Sequence, residues 1–533
     1  MPRLLAGLAV LTLTSTAVSA APRPGPASED VAAQRRRGLA LRFAWARYGK
    51  EAFERARRER KPILIDGAAE WCHWCHVMDE TTYRDPEVGR LIAERFVAVR
   101  VDIDERPDFQ ERYQDFGWPA TIVLSPDGAE LGKFRGYLAP ERMREILERA
   151  GAGAAEARPV RGPADAAAQP VDLPWIGGLA LVQLDAAWDD EDGGWGNRQK
   201  APIGTAVQVE LLRAAHGDAA AQVRAVRALD AQRALLDPVW GGLYQYSTGG
   251  DWRSPHFEKL MAVQATNLEA CAGAARATGL PRLRKDAEAI ARYMTEHLGA
   301  PDGRFFANQD ADVGAHDRGA RFVDGHAFYA RDDRGRRALG MPWVDRHVYA
   351  RENGLAIAAL LALGEATGEA RWVALARRAA EAIVKSHVRA DGGVVHDAER
   401  PNDPRFLVDA AALGRALARL GEVTREPRWA EHARRIAAAM ARDFADPAGG
   451  WFGRTLDDAA TGALAERDRP LAPAIAGARF LAALARLTGQ AAPREAARRA
   501  LAVAASPRAV DALGRTVGEL VLALDELGEL RWR

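Results

Sequence analysis

The chain has 533 residues, which is too long for one compact domain. Its 74 Lys and Arg residues nearly balance its 73 Asp and Glu residues, and the formal net charge is +1. A charge so close to zero gives no reason to expect nucleic acid or an anionic membrane surface as a partner.

The first 20 residues have the pattern of a cleavable signal peptide. Arg3 precedes an apolar run at residues 4–18, and small residues follow at Val18-Ser19-Ala20. The run is too short to span a bilayer, and we expect no later segment long enough for a transmembrane helix. We therefore expect a periplasmic or secreted mature protein without a membrane span, in a compartment where a dithiol can be oxidised. The basic cluster at residues 35–37 is typical of a solvated tail.

A Cys-x-x-Cys pair follows a short apolar strand. Residues 63–65 predict a buried strand, and Cys72 and Cys75 come just past its end, where a helix can begin. A thiol at a helix N-terminus has a lowered pKa, because it feels the positive end of the helix dipole. We therefore expect Cys72 to be the accessible nucleophile and Cys75 the shielded, resolving thiol. A cationic His73 between them would favour the Cys72 thiolate.

Two other interpretations of Cys72-His73-Trp74-Cys75-His76 stay open. The segment satisfies the attachment pattern of c-type haem, but a haem site requires neither the preceding strand nor the segment around Trp118. Structural zinc sites generally take ligand pairs from two separated segments, whereas these residues lie in one short stretch. We expect no cofactor and no bound metal. Cys271 lies on an apolar helix and is expected to be a core residue.

The arrangement resembles the thioredoxin superfamily, in which a buried Asp precedes the cysteine pair and a cis-proline faces it. Asp66 and Gly117-Trp118-Pro119 match these features, and residues 96–101 and 131–137 predict further strands. The resemblance implies that Asp66 helps to remove the proton of Cys75 and that Pro119 lies against a client disulfide. The redox residues and those expected to modulate them are Cys72, Cys75, Asp66, Pro119, His73, Trp74, His76 and Trp118.

The rest of the chain predicts a large helical domain. We expect a thioredoxin-like domain at residues 40–150, an Ala-, Gly- and Pro-rich linker at 151–171 and helical hairpins at 172–533. Glycine-containing loops recur at intervals of about 50 to 90 residues and alternate with short turns. The periodicity indicates roughly twelve helices, hence about six hairpins. Such hairpins either close into an α/α toroid or stack as an open solenoid, and the long, aromatic-rich loops favour closure.

Together these features resemble the DsbH-like family of thioredoxin-domain proteins, which includes spermatogenesis-associated protein 20. The resemblance rests on Cys72-His-Trp-Cys-His-Val-Met78 combined with Pro255-His-Phe-Glu-Lys259. It implies a multidomain α/β plus all-α fold, in which the thioredoxin-like domain precedes a six-hairpin, glycosidase-like α/α toroid. This chain departs from the family where Val408-Asp409-Ala410 replaces an Asp-Asp-Tyr segment and where Glu352 replaces a tryptophan. Such losses make inherited carbohydrate chemistry less secure than redox chemistry.

Acidic and aromatic residues of the toroid could bind or cleave a sugar. Ser254-Pro255 has the N-cap and N1 pattern, so His256 and Glu258 are expected in the first turn of a helix. Aromatic loops beside carboxylates suit sugar stacking and glycosidic acid/base work, although a first-turn Glu also simply favours the helix dipole. Asp310 and Asp312 suit a sugar hydroxyl, a cation or an Asx-turn. The expected toroid site comprises His256, Glu258, Asp310, Asp312, Trp195, Tyr244 and Trp252.

Two functional classes follow from these patterns. The first is an exported thiol–disulfide oxidoreductase that acts on protein dithiol or disulfide clients and whose toroid binds a client or a saccharide. The second is a carbohydrate-active enzyme, of hydrolase or epimerase type, whose cysteine pair is regulatory or structural. We favour the first, because the departures from the family pattern fall in the toroid and leave the cysteine motif intact.

Overall fold

The computed structural model describes residues 31, 35, 37–151, 169–447 and 449–532. The predicted signal peptide and most of the predicted linker lie outside the described residues. What is described forms a mixed α/β layer followed by a large helical ring.

Five strands of the N-terminal region form one sheet, in the order β1-β3-β2-β4-β5. Strands β1, β3 and β2 pair in parallel, whereas β4 and β5 are antiparallel to their neighbours. The Trp118–Pro119 peptide bond, just before β4, is cis, as the sequence predicts. The strands are β1 (Ala46–Arg47), β2 (Ile63–Ala68), β3 (Val97–Asp102), β4 (Ala120–Leu124) and β5 (Glu130–Arg135).

Five helices pack on this sheet and bury both of its faces. Because successive strand residues point to opposite faces, Ile63 and Ile65 enter one core and Leu64 enters the other. The result is the thioredoxin-like fold. The helices are α1 (Lys50–Glu59), α2 (His73–Thr81), α3 (Pro86–Arg95), α4 (Pro107–Tyr113) and α5 (Pro140–Gly151).

The described residues after the linker form a closed ring of helices, which confirms the six-hairpin α/α toroid. Twelve of these helices have at least 10 residues, and three are shorter. They are α6 (Leu173–Ala186), α7 (Gly204–Ala215), α8 (Ala219–Gln232), α9 (Met261–Thr278), α10 (Pro281–Glu296), α11 (Gly325–Tyr329), α12 (Asp333–Leu339), α13 (Ala350–Thr367), α14 (Ala370–His387), α15 (Leu407–Thr424), α16 (Pro427–Asp443), α17 (Leu471–Thr488), α18 (Ala491–Ala504), α19 (Pro507–Ala512) and α20 (Gly518–Leu527).

Six helices form the inner wall of the toroid, and six form the outer wall. Helices α7, α9, α13, α15, α17 and α20 each contact the next, and α20 also contacts α7, which closes the ring. The inner helix α13 is buried without interruption over residues 356–364, whereas the outer helix α16 buries a single stripe that contains Trp429, Ala433 and Ile436. This difference follows from position, because an inner helix has packed neighbours on all sides.

The recurring glycine loops lie between each outer helix and the next inner helix. Several are closed by one antiparallel bridge, such as that between Leu236 and Leu243 or between Val388 and Val394. A Cβ at Gly241 would lie 2.3 Å from a backbone oxygen of the next outer helix, and φ there is +77°. Only glycine fits such a contact, which explains why it recurs. The six remaining strands lie in these loops: β6 (Gln199–Lys200), β7 (Tyr246–Thr248), β8 (Pro255–His256), β9 (Lys259–Leu260), β10 (Asn308–Gln309) and β11 (Val344–Asp345).

One described helix is long and apolar enough to cross a membrane by length and composition. It is α17, with 18 residues and a mean hydropathy of 1.3, so the expectation that no later segment has the required length is wrong. The share of this helix that is buried inside the protein is 72%, because it is an inner helix of the toroid. Its apolar composition is therefore explained by packing.

Candidate active site

The Cys72–Cys75 pair lies at the N-terminus of α2 and forms a disulfide. Cys72 is the N-cap residue, and its sulfur accepts a hydrogen bond from the Cys75 backbone N–H at 3.2 Å. A sulfur in this position faces the free N–H groups and the positive end of the helix dipole, both of which stabilise a thiolate.

The toroid covers this disulfide. Cys72 and Cys75 are only 4% and 5% exposed, and their apolar cluster includes Leu464 of the toroid. The expectation that Cys72 is the accessible thiol is therefore wrong for this arrangement of the two domains. Burial does not distinguish the two cysteines, since their exposed fractions are nearly equal.

Ion pairs and hydrogen bonds also join the two domains at the loop between β3 and α4. The toroid loops that lead into the inner helices supply one partner of each, and the thioredoxin-like domain supplies the other. These contacts join Asn308 to Asp104 at 2.8 Å, Asp457 to Arg106 at 2.9 Å, Arg454 to Asp108 at 3.1 Å and the His396 ring to the backbone oxygen of Asp104 at 2.7 Å.

His73, directly after Cys72, makes an ion pair across the domain boundary. Its Nδ1 lies 2.6 Å from Oδ2 of Asp312, whose Oδ1 accepts a hydrogen bond from the Gly325 backbone N–H. Burial alone would lower the pKa of His73, but the charge and hydrogen bond of Asp312 outweigh it and raise the pKa to about 9. His73 is therefore cationic at neutral pH, the state in which it favours a thiolate at Cys72.

Glu258 of the toroid lies at the same helix N-terminus. Its Oε1 accepts a hydrogen bond from the His73 backbone N–H at 3.3 Å, and its Oε2 is buried without a hydrogen-bond partner. Burial raises the pKa of Glu258 to about 7, although the nearby His73 charge acts in the opposite direction. A carboxyl with this pKa can either hold or accept a proton near neutral pH.

Three further groups of the toroid approach the same helix. Asp310 Oδ2 lies 3.5 Å from His76 Nδ1 and 3.1 Å from His316 Nε2. The His256 ring stacks on Tyr246 at a centroid distance of 4.2 Å and lies 6.4 Å from the Trp74 ring. The structure thus brings His256, Glu258, Asp310 and Asp312 together, and it places them against the redox helix.

Asp66 lies on β2, on the sheet face that also carries Leu64. It is 1% exposed, and its Oδ2 accepts a hydrogen bond from Arg100 Nε at 3.0 Å, while its Oδ1 is buried without a partner. Burial raises the pKa of Asp66 despite the opposing Arg100 charge. Arg100 also binds Asp79 of α2 at 3.1 Å, so this carboxylate is tied to the redox helix through one guanidinium.

The predicted helix start at Ser254-Pro255 is wrong. Pro255 and His256 instead form β8, which pairs with Tyr246 and Ser247 of β7, and α9 begins only at Met261. Backbone pairing with a neighbouring strand outweighs the local N-cap signal, because the strand satisfies the same backbone groups.

The aromatic part of the predicted sugar site is also wrong. Trp195, Tyr244 and Trp252 are 3%, 5% and 7% exposed, so their faces are not open to a ligand. The indole N–H of Trp252 donates to the Asp192 backbone oxygen, and Tyr244 packs edge-on against Phe257. These rings pack the glycine loops and do not line the mouth of the toroid.

Sequence reasoning missed two residues that connect the domains. His316 follows Asp310 and Asp312 in the same loop, and that proximity is the signal that could have identified it. Asp104 accepts a hydrogen bond from the Trp71 indole N–H at 2.6 Å, and its burial and the nearby charge of Asp102 raise its pKa well above the ordinary value. Cys271, in contrast, lies on α9 and is buried in the toroid core, as the sequence predicts.

Comparison with known proteins finds a likeness to thioredoxin-like proteins in the N-terminal region. The family model Thioredox_DsbH, described as "Protein of unknown function, DUF255", matches residues 36–149. Spermatogenesis-associated protein 20 of Homo sapiens is 32% identical over 327 residues, which cover 54% of this chain and 41% of the human protein. The protein named thiol:disulfide interchange protein DsbD 1 of Pseudomonas aeruginosa is 37% identical over 106 residues, which cover 19% of this chain and 18% of that protein. The chain thus matches less than half the length of these curated relatives.

Solved structures match the toroid only distantly. A D-mannose isomerase has a TM-score of 0.47 at 12% identity, with 61% of this chain and 82% of that chain covered. A cellobiose 2-epimerase from Bacillus thermoamylovorans has a TM-score of 0.46 at 11% identity, with 61% and 86% covered. At this level of similarity, their sugar chemistry does not transfer to the present chain.

Proposed function

Because residues 36–149 match the DsbH-like family model and the cysteine pair lies within them, we propose that this chain is a thiol–disulfide oxidoreductase whose toroid completes the redox site. The observation that carries the proposal is the position of Cys72, which is the N-cap of α2 and is bonded to Cys75 one turn further along. Both sulfurs therefore lie where one can attack a disulfide and the other can resolve the product.

In the reducing direction, the Cys72 thiolate attacks one sulfur of a substrate disulfide. The substrate S–S bond breaks, one substrate thiolate leaves, and Cys72 is joined to the other half. The Cys75 thiolate then attacks the Cys72 sulfur, which releases the second substrate thiolate and forms the Cys72–Cys75 disulfide. Asp66 is proposed to assist the removal of the proton from Cys75, and the reverse sequence oxidises a dithiol.

The toroid places two carboxyl groups, those of Asp312 and Glu258, at the N-terminus of α2. Asp312 keeps His73 protonated, and Glu258 occupies the helix N-terminus that the Cys72 thiolate also uses. Two negative charges at one helix end repel each other, so ionisation of Cys72 favours the protonated form of Glu258. We therefore assign Glu258 the role of the group that exchanges a proton with Cys72.

Burial of the sulfurs restricts the substrate. A cavity of about 260 Å³ opens beside the interface and is lined by Glu70 and Trp343, both of which lie close to His316. Neither cysteine lines this cavity, so any disulfide reaches Cys72 only if the toroid loops move, and a small disulfide requires a smaller opening than a disulfide of a folded client. Protein clients, which the sequence predicts, thus require an opened arrangement of the two domains.

Turnover of the full chain tests the function. The chain should reduce oxidised glutathione, a small disulfide, faster than insulin, whose disulfides belong to a folded protein, with dithiothreitol as the reductant for both. Equal rates would contradict the role of the toroid as a cover, and the absence of turnover with both substrates would contradict the oxidoreductase assignment. A measured reduction potential of the pair then gives the physiological direction.

Export and saccharide binding remain predictions from the sequence. A mature N-terminus that begins at Ala21 in the periplasmic or secreted fraction would support export, and retention of residues 1–20 would contradict it. Calorimetric titration against a glycan panel tests the saccharide prediction. The absence of heat with any sugar would leave the toroid as a part of the redox site.

A further inference from the structure

Three metal-binding side chains converge between α2 and the toroid. Asp310 Oδ2 lies 3.1 Å from His316 Nε2 and 3.5 Å from His76 Nδ1, and the three donor atoms all lie within 4.8 Å of one another. Metal bonds of roughly 2.0 to 2.2 Å hold neighbouring ligand atoms about 3 to 3.6 Å apart in tetrahedral or octahedral geometry. The two distances to Asp310 already fit, and a small approach of the two rings completes the set.

The His76 side chain has an unsatisfied nitrogen that faces this cluster. Its Nδ1 is buried and has no hydrogen-bond partner. Buried polar atoms nearly always have a partner, so an orphan of this kind needs an explanation. A cation between His76, Asp310 and His316 would supply it.

The charges around the cluster also suit a cation. Asp310 and its neighbour Asp312 are 0% and 1% exposed, and two buried carboxylates so close together favour a nearby cation.

The surroundings of the cluster hold its members in place. His316 Nδ1 lies 3.9 Å from Glu70 Oε2, and its ring stacks on Trp343 at 4.9 Å. Asp310 Oδ1 accepts a hydrogen bond from the Asp312 backbone N–H at 3.0 Å, which leaves Oδ2 toward the two histidines. Carboxylates and backbone groups commonly orient metal ligands in this way.

We propose that His76, Asp310 and His316 form a binding site for one divalent transition-metal cation, with Zn²⁺ as the metal to test first. Two imidazoles and one carboxylate suit Zn²⁺, Fe²⁺ or Co²⁺ better than Mg²⁺ or Ca²⁺, which prefer oxygen ligands only. Local sequence patterns do not predict this set of three ligands, because His76 and the loop at residues 310–316 are far apart in the chain. The metal joins the redox helix directly to the toroid.

Titration of the oxidised full chain tests the proposal. The protein is stripped with a chelator, and the Cys72–Cys75 disulfide is kept intact so that these thiols do not compete for metal. Calorimetry with Zn²⁺ should then give one site per chain, and His316→Ala should weaken the affinity at least a hundredfold. His326→Ala is the matched control, because His326 lies on α11 beside Asp324, at 3.9 Å, and outside the cluster.

Two further measurements distinguish the loss of metal binding from misfolding of a variant. Zn²⁺ should raise the melting temperature of the wild type and of His326→Ala but not of His316→Ala or Asp310→Asn. Co²⁺ should give a visible d–d spectrum in the wild type that is lost in the His316→Ala variant. The absence of bound Zn²⁺ and of a Co²⁺ spectrum in the wild type, or unchanged affinity in the two cluster variants, would overturn the proposal.

Discussion

Two neighbouring residues of one short segment enter buried charge clusters of opposite character. Glu258 faces the redox helix and keeps one carboxylate oxygen without a hydrogen-bond partner. Lys259 points into the toroid, where its Nζ lies 2.7 Å from Asp237 and 2.8 Å from the Gly241 backbone oxygen, and where Arg336 binds the same Asp237. A cluster whose polar atoms are all satisfied stabilises a fold, whereas one with orphaned atoms at a reactive sulfur is suited to chemistry.

The pKa values express the same contrast. Burial would raise the pKa of Asp237, but the charge of Lys259 and the hydrogen bonds of Arg336 outweigh it and lower the pKa to about 2. Glu258 has no comparable cation bonded to it, and burial raises its pKa to about 7. The carboxylate of Asp237 therefore stays ionised at all physiological pH values, whereas Glu258 gains or loses its proton within the physiological range.

The largest expected effect concerns the nucleophile. Cys72→Ser should lower disulfide exchange by about a thousandfold or more, because no other described sulfur lies at the helix tip. Cys75→Ser should retain the attack and accumulate mixed disulfides, which non-reducing electrophoresis detects. Cys271→Ser is the control, since that thiol lies in the toroid core, and its exchange rate should equal that of the wild type. An equal loss in Cys271→Ser would show that the effect does not depend on the position of Cys72 at the helix tip.

Disruption of the cluster of Lys259, Asp237 and Arg336 should lower the free energy of unfolding. Asp237→Asn removes the shared charge partner of Lys259 and Arg336 and should destabilise the fold by about 3 to 5 kcal/mol, as the loss of one partner of a buried ion pair does. Asp230→Asn is the matched control, because Asp230 pairs with Arg282 at the surface and should cost less than about 1 kcal/mol. Thermal melting measures both, and a similar small shift in both variants would contradict the structural role of the cluster.

The ion pair between His73 and Asp312 should make stability depend on pH. The pKa of His73 rises from an ordinary 6.5 to about 9 in the folded state, so the stabilisation is fully present below pH 6.5 and is lost as the pH rises through about 9. At 1.36 kcal/mol per pKa unit, the stabilisation is on the order of 3 kcal/mol at most. The decline in melting temperature between pH 6.5 and 9 should therefore be shallower in the double variant His73→Asn/Asp312→Asn. An identical decline in both proteins would show that the ion pair does not cause the pH dependence of the melting temperature.

The smallest expected effect concerns Glu258. Glu258→Gln keeps the acceptor oxygen for the His73 N–H but cannot titrate, so the exchange rate at pH 7 should fall about ten- to a hundredfold. The pH profile of the exchange rate should also lose its inflection near 7. Glu94→Gln, on α3 of the thioredoxin-like domain and half-exposed, is the control. If the pH profile of Glu258→Gln keeps its inflection near 7, a group other than Glu258 causes the inflection.

Local patterns in the sequence determined the elements of this protein. The apolar run at residues 63–65 and the following cysteine pair predict a strand and a helix N-cap, and both form. The periodic spacing after residue 172 predicts roughly twelve helices, and glycine recurs where the chain passes close to the next outer helix. These features follow from the sequence because periodicity and backbone sterics act over a few residues.

Only the tertiary structure decided which groups meet at the redox site. His73 and Asp312 are far apart in the chain, and their contact depends on how the thioredoxin-like domain packs on the toroid. The same packing buries Cys72, and strand pairing at β8 replaces the helix start that Ser254-Pro255 predicts. Such outcomes are decided by the burial and backbone pairing of remote segments, which no local pattern encodes.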